Sequence, residues 1–289
     1  MPCPSISFEV FPPATLPASF RLWDAMARLQ AFQPDYISVT YGAQGSDQTP
    51  TLETAQSMIE QTGLPVGAHL TIARASREDV LAQAQRYFEI GVRDIVALRG
   101  DGDAPGAPFT PHPEGFTSSV ELVEALAAQG RFRIRVGAYP ESHPAAASPQ
   151  QNIDYLKAKF DAGADEAITQ FFFEPQTFLR FRDACAKAGI DKRIVPGILP
   201  IANWAKVRRF ANSCGASVPA WLDQAFETAV RDDREALLGL AVTTELASKL
   251  VEEGVDHLHI YTLNSARLTD QLCTALGVEA RPVQLRNVA

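Results

Sequence analysis

Cysteine is scarce and scattered. The 289-residue chain has four, Cys3, Cys185, Cys214 and Cys273, with no CxxC pair among them. That spacing argues against a disulfide framework or a structural zinc site and reads as free thiols in a reducing compartment. Positive charge is in deficit: 26 Lys and Arg stand against 34 Asp and Glu, for a net charge of -8 and a pI near 5.2. Proteins that grip phosphate backbones carry a basic face, so nucleic acid is not an expected partner. An anionic ligand would have to be met by a local cluster of cations. Long apolar runs are missing too, and none approaches the ~20 residues that cross a bilayer. No charged leader followed by an apolar stretch precedes the strand-like segment at Ile6, so neither a signal peptide nor a membrane partner is expected, and the protein reads as soluble and cytoplasmic. No linker rich in Pro, Gly or Ser divides the chain, which predicts one domain over residues 1–289.

What is present is apolar material and regular alternation. Hydrophobic residues make up 46% of the chain, enough for a full core. Short β-rich runs recur at Ile6–Phe11, Tyr36–Tyr41, Val66–Thr71, Ile95–Asp101, Ile134–Tyr139, Ala167–Phe173, Ile194–Leu199 and His257–Leu263. Between them lie stretches of helical periodicity such as Ser76–Ile90, Gln150–Ala162 and Pro175–Ala188. Strands alternating with helices predict βαβ units and a parallel sheet, and eight of them predict closure into a (β/α)8 TIM barrel. The gap before the last strand is long. It holds Ala202–Ser213, Pro219–Val230 and Arg234–Glu252, so one or two extra helices are expected between strands seven and eight.

Successive strand residues face opposite ways. Ile6, Phe8 and Val10 oppose Ser7 and Glu9; Ile37 and Val39 oppose Ser38 and Thr40; Val66, Ala68 and Leu70 oppose Gly67, His69 and Thr71. Val96 and Leu98 are set against Arg99 and Asp101, and Ile134, Val136 and Ala138 against Arg135, Gly137 and Tyr139. The aliphatic face is expected under the helices and the small or polar face inside the barrel. Glu9, Thr40, His69, Arg99, Asp101 and Tyr139 then fall at carboxyl-terminal strand ends, where barrel active sites are built. His257 and His259 alternate on the last strand. No third metal ligand stands at suitable spacing, so interior packing is the better reading and no metal is expected. The stretch Gly100-Asp101-Gly102-Asp103-Ala104-Pro105-Gly106 misses GxGxxG by one residue and contains proline, so a dinucleotide fingerprint is set aside.

Six segments occur in order, each at a strand end: Phe8-Glu9-Val10-Phe11-Pro12-Pro13, Ser38-Val39-Thr40-Tyr41-Gly42, Ala97-Leu98-Arg99-Gly100-Asp101, Tyr139-Pro140-Glu141-Ser142-His143-Pro144, Ile168-Thr169-Gln170-Phe171-Phe172-Phe173 and Pro196-Gly197-Ile198-Leu199-Pro200. Together they resemble the methylenetetrahydrofolate reductase family, from about Ser7 to about Gly277. The resemblance implies reversible reduction of 5,10-methylenetetrahydrofolate to 5-methyltetrahydrofolate. NADH or NADPH gives hydride to FAD and leaves, and the folate takes its place.

The resemblance also implies roles. Glu9 becomes the general acid that protonates N10 as the methylene bridge opens, aided by a carboxyl pKa raised in the barrel mouth. Asp101 lies by pterin and flavin, tunes the flavin potential and favours the cationic iminium. Thr40, Tyr41, His69, Arg99 and Gly100 join Asp101 at the FAD, as do Tyr139, His143, Asn152, Tyr155 and Lys159, with Thr117 near a further contact. Arg99, His143 and Lys159 would offset the pyrophosphate charge. Gln170 hydrogen-bonds the pterin and Phe210 stacks on folate or nicotinamide; Lys206, Glu9, Thr40 and Asp101 complete the substrate set.

Four positions depart from the family pattern. Asn152 stands where some members have Asp at the ribose, Tyr155 where some have Asn, Ala158 where a basic residue is found and Ser265 where an Arg often reaches the folate tail. These weaken the expected grip on adenosine and on the folate glutamate. Two other readings of the same barrel stay open: a pterin-binding methyltransferase without flavin, and a non-catalytic folate store or sensor. A homo-oligomer is compatible with the sequence, which does not fix the assembly.

Overall fold

The computed structural model describes residues 3–41, 48–102, 109–143 and 146–282. Gly42, Pro144 and residues 103–106, weighed above, lie outside the described residues.

Strands and helices alternate as expected: β1 (Ser5–Val10), α1 (Leu16–Leu29), β2 (Ile37–Val39), α2 (Thr49–Thr62), β3 (Val66–Thr71), α3 (Arg77–Glu89), β4 (Asp94–Leu98), α4 (Ser119–Ala127), β5 (Arg133–Ala138), α5 (Pro149–Asp161), β6 (Glu166–Thr169) and α6 (Pro175–Lys187). Then come β7 (Arg193–Val195), β8 (Gly197–Ile198), α7 (Trp204–Cys214), α8 (Ala220–Arg231), α9 (Glu235–Glu252), β9 (His257–Tyr261) and α10 (Ala266–Ala275). Several helices start where a short polar side chain accepts from an early amide, the usual remedy for unpaired first-turn N–H groups. Thr15, Ser76, Ser118, Ser148 and Asn203 do this for α1, α3, α4, α5 and α7.

All strand pairs are parallel, in the order β7-β6-β5-β4-β3-β2-β1-β9-β8. The expected seventh strand is split. Proline has no amide to donate, and Pro196 separates β7, which pairs with β6, from β8, which pairs with β9. The Pro196 carbonyl still accepts from His259 N at 3.1 Å. One stave in two pieces therefore joins both sheet edges and closes the eight-fold barrel. The long connection carries two helices, α7 and α8, before α9 takes the outer ring position.

The main core lies between barrel and helices and contains Ile6, Phe8, Val10, Ile37, Val39, Ala68, Ile95, Ala97, Val136 and Leu258. The expected facing of β4 is overturned: Ile95 and Ala97 pack outward under the helices, whereas Val96 joins Tyr36 and Ile168 inside the barrel with Leu98 against them. The barrel needs an apolar plug at its waist, and β4 supplies part of it. Below that plug Arg135 is sandwiched between Asp94 and Glu166, 2.9 Å from the latter, with its guanidinium 3.6 Å from the centre of the Tyr36 ring. Buried charge is tolerated when paired in this way. A third cluster ties Phe171, Phe173 and Leu199 to Trp204, Val207 and Phe226, anchoring α7 and α8 beside the carboxyl-terminal mouth.

Candidate active site

A cavity of about 220 Å³ opens at that mouth. Glu9, His69, Tyr139, Gln170, Phe171, Phe210 and Tyr261 line it, over a floor of Val96, Leu98 and Ile168. Five of the expected site residues, Glu9, His69, Tyr139, Gln170 and Phe210, thus converge on one space.

Glu9 is delivered by the inward pleat of β1. Its Oε2 lies 3.2 Å from His69 Nε2 and 3.6 Å from His259 Nε2. Both nitrogens are buried, and neither makes a well-aligned hydrogen bond among the described residues. Burial pushes the Glu9 pKa up, but attraction to His69 and polar contact with His259 and His69 outweigh it and bring it down to about 2. This corrects the expected raised pKa: desolvation acts in the anticipated sense, and two imidazoles that converge only in the fold overcome it. Glu9 in the chain alone is an ionised carboxylate.

Aromatic walls flank the acid. Phe210, 43% exposed on α7, stacks on Phe171 at 5.2 Å with the rings 28° apart. Tyr261 donates its hydroxyl to Thr169 O at 2.7 Å. That closeness needs Gly197, because a Cβ there would lie 2.2 Å from Thr169 O and 2.5 Å from the Tyr261 ring. Gln170 Oε1 accepts from the Phe171 amide at 3.0 Å.

Three basic side chains, Arg99, His143 and Lys159, lie within electrostatic reach of one another after β4, after β5 and on α5. Lys159 is buried and donates from Nζ to Gly137 O at 2.6 Å. Burial and then the Arg99 charge push its pKa down to about 8. His143 is lowered by burial and by Arg99 and Lys159, with Asp101 opposing. Arg99 follows β4, and Gly100 makes its turn at φ +84°, where a Cβ would meet Ala73 Cβ at 2.7 Å. Asp101 is exposed; burial raises the Tyr139 pKa, Arg99 opposes, and the Asp101 charge adds to the rise. Asn152 spans the turn after β5, donating to Tyr139 O at 2.8 Å and accepting from His143 N at 3.3 Å. Its amide is therefore occupied in holding the loop. Tyr155 meets Ser119 at 3.0 Å between hydroxyls, and the Lys159 ammonium lies 5.2 Å from the centre of its ring.

Other expected residues lie off the cavity wall. Thr40 and Tyr41 follow β2; the Thr40 amide donates to Val10 O at 2.8 Å and its carbonyl accepts from the Thr51 hydroxyl at 3.0 Å. Thr117 is exposed and hydrogen-bonded to Glu121. Lys206 is exposed on α7, one turn before Phe210. Sequence reasoning missed Phe171, Tyr261 and Ser119. Tyr261 shares the inward parity of His257 and His259 and was available from alternation. Phe171 sits in an unbroken apolar run with no parity signal.

A (β/α)8 barrel with a histidine-flanked carboxylate, stacked aromatics and a neighbouring cluster of basic side chains is the class of protein these features define. A sequence profile described as methylenetetrahydrofolate reductase matches residues 3–277. The 5,10-methylenetetrahydrofolate reductase of Pectobacterium carotovorum subsp. carotovorum is 42% identical over 275 residues, covering 95% of this chain and 90% of that protein. That of Escherichia coli (strain K12) is 41% identical over 276 residues, covering 95% and 91%. The chain belongs to the methylenetetrahydrofolate reductase family. The fold alone is shared with an uncharacterized protein from Clostridium thermocellum that binds two copies of 5-methyl-5,6,7,8-tetrahydrofolic acid, at TM-score 0.68 and 12% identity, covering 96% of this chain and 95% of that one. Dihydropteroate synthase from Xanthomonas albilineans is similar at TM-score 0.52 and 15% identity, covering 96% and 94%. No helix among the described residues is long and apolar enough to cross a membrane.

Proposed function

We propose that the chain reduces 5,10-methylenetetrahydrofolate to 5-methyltetrahydrofolate, with NADH or NADPH as reductant and FAD as carrier. The observation that carries this reading is the pair Glu9–His69 on the wall of an aromatic-lined cavity, with Arg99, His143 and Lys159 clustered on neighbouring elements. The residues fit FAD. Burial and then the Arg99 charge lower Lys159, and burial, Arg99 and Lys159 lower His143, a cost that a bound diphosphate would offset, and Tyr155 is 40% exposed beside them for an adenine to stack on. When bound, FAD would accept hydride from the nicotinamide and supply it to the folate.

The chain's own residues do the rest. Phe210 and Phe171 offer a stacked face to a pterin, and Gln170 offers an amide to its hydrogen-bonding edge. Asp101 favours a cationic iminium near the rim. Glu9 delivers the proton that N10 needs as the carbon–nitrogen bond breaks. Names of relatives point the same way, one in Arabidopsis thaliana being called methylenetetrahydrofolate reductase (NADH) 1 at 35% identity over 287 residues. So does the binding of 5-methyltetrahydrofolic acid by the Clostridium thermocellum protein of similar fold.

The test is a visible spectrum of purified protein before and after FAD addition, followed by turnover of methylenetetrahydrofolate with each nicotinamide. A flavin bleached by NADH or NADPH and recoloured by methylenetetrahydrofolate is expected. A colourless protein that neither takes up FAD nor turns over would overturn the reading and leave the flavin-free methyltransferase in its place.

A further inference from the structure

We propose that a file of side chains through the barrel interior carries protons from solvent at the amino-terminal face to Glu9. The file starts at Asp35, whose half-exposed carboxylate has Oδ2 3.2 Å from His257 Nδ1, and at Ser5, whose Oγ is 2.6 Å from the same nitrogen. His257 Nε2 lies 2.8 Å from Ser7 Oγ, and Ser7 Oγ lies 2.7 Å from His259 Nδ1. His259 Nε2 then faces Glu9 Oε2 at 3.6 Å, buried and without a well-aligned partner. The arrangement follows from strand register. Ser5, Ser7 and Glu9 are the inward pleats of β1, His257, His259 and Tyr261 those of β9, and they are paired Ser5 with His257, Ser7 with His259 and Glu9 with Tyr261. Two neighbouring strands thus lay a polar track past the apolar waist of Val96 and Ile168.

The chemistry of the links suits transfer. A neutral imidazole has one N–H and one lone pair, and a serine hydroxyl can donate on one side while accepting on the other. Both histidines are held neutral. Burial pushes His257 down to about 3, with Arg193, His259 and Arg135 acting in the same sense and Asp256 opposing. Burial also lowers His259, which Glu9 partly counters and His69 and Arg135 reinforce. In the resting polarity His257 Nε2–H donates to Ser7, Ser7 donates to His259 Nδ1, and His259 Nε2–H points at the Glu9 carboxylate. One proton from solvent then enters at His257 Nδ1, relayed by the Asp35 carboxylate, which first takes it from water, or by the Ser5 hydroxyl, which takes a proton from water as it gives its own. The proton on His257 Nε2 passes to Ser7, that of Ser7 to His259 Nδ1, and that of His259 Nε2 to Glu9 Oε2. No electrons move, one proton has crossed, and both imidazoles finish neutral in the other tautomer. The file resets once product has left: a proton from water at the open mouth enters at His259 Nε2, that of His259 Nδ1 passes through Ser7 to His257 Nε2, that of His257 Nδ1 leaves to solvent, and the Ser7 hydroxyl turns back.

The need for such a route rests on the proposed role of Glu9 as the donor to N10. Glu9 is ionised in the chain alone, and a folate seated in the cavity covers it from the mouth. Its proton must then come from the far side, from His69, or not at all.

The experiment uses FAD-loaded enzyme, reduced by NADH and mixed with methylenetetrahydrofolate in stopped flow, in H2O and in D2O. His257→Gln keeps a hydrogen-bonding group beside Ser7 but cannot exchange tautomers, and Ser7→Ala removes the middle link. In either folded variant flavin reoxidation is expected to slow by at least about tenfold relative to flavin reduction, with a larger solvent isotope effect and little change in folate Kd. Reoxidation within twofold of wild type in both variants would overturn the file and assign the proton to His69 or to the mouth. Should wild type fail to reduce methylenetetrahydrofolate, the proposed function falls, and the file is judged by nitrogen-15 spectra of its histidines. Averaging of the His257 and His259 ring nitrogens between two tautomers supports the file, and a single fixed tautomer at both sinks it.

Discussion

Glu9 Oε2 and His69 Nε2 lie 3.2 Å apart although their strands, β1 and β3, are separated by β2. Inward pleats two staves apart meet across the curvature of a barrel, which they could not do on a flat sheet. The consequence is chemical. A carboxylate otherwise made less acidic by burial becomes a strong acid because an imidazole holds its charge.

That ionisation sets a pH dependence of stability. The folded pKa of Glu9, about 2, lies below the ordinary 4.5. A depressed carboxylate contributes stability above its unfolded pKa and loses it as pH falls through the folded one. Wild type is therefore expected to exceed Glu9→Gln in stability at pH 6 by up to about 3 kcal/mol, with the gap closing between pH 5 and 2. Urea melts of both proteins across that range test it, and a gap independent of pH would count against the Glu9–His69 attraction.

Lys159 predicts the pH dependence of cofactor binding. Burial and Arg99 bring its pKa to about 8, and a bound diphosphate would raise it. Between those two values FAD binding takes up a proton, so affinity is expected to fall as pH rises above about 8, by at most tenfold per pH unit. Lys159→Gln is expected to bind FAD more weakly and to flatten the profile. Titrations of apo-protein with FAD at pH 7, 8 and 9 decide it; parallel profiles for the two proteins would remove Lys159 from the phosphate site.

Gly197→Ala tests the packing behind the acid. Its new Cβ would strike the backbone oxygen of Thr169, which cannot swing aside, and the ring of Tyr261. A loss of about 3 kcal/mol is expected, at the upper end for overpacking, together with loss of the Tyr261–Thr169 hydrogen bond. Thermal melts and the near-ultraviolet tyrosine signal report each part. A variant as stable as wild type would mean that β8 shifts freely, contrary to its role as the closing half-stave.

Much of this was legible in the chain and some was not, for identifiable reasons. β1 and β3 alternate cleanly, so Glu9 and His69 were placed inward from sequence. β4 reads Ile95-Val96-Ala97-Leu98, apolar on both faces because parallel barrel strands are buried on both, and there the polar residues beyond the strand suggested the wrong parity. Ile194–Leu199 reads as one strand, and only the pairing of its halves with β6 and β9 reveals that it breaks at Pro196 and that the break closes the barrel. The ionisation of Glu9 was out of reach, since His69 and His259 are remote in sequence and burial alone argues the opposite sign. That the Asn152 amide bridges Tyr139 and His143 was likewise out of reach, since the turn after β5 brings them together only in the fold.

Glu9→Gln separates the two halves of the proposed cycle. Glutamine keeps the size of glutamate and most of its hydrogen bonds but has no proton to give to N10. Flavin reduction by NAD(P)H requires no such proton, so that half-reaction is expected to stay within a few-fold of wild type. Methylenetetrahydrofolate reduction is expected to fall by about 10²–10⁴, the span for loss of a general acid. Folate binding is expected to weaken much less, because the lost interaction is made mainly in the transition state. Stopped-flow absorbance follows each half separately. Equal loss of both halves in a folded variant would make Glu9 a structural residue, and loss of neither would place the proton donor elsewhere, with His69, already 3.2 Å from the carboxylate, the first alternative to mutate.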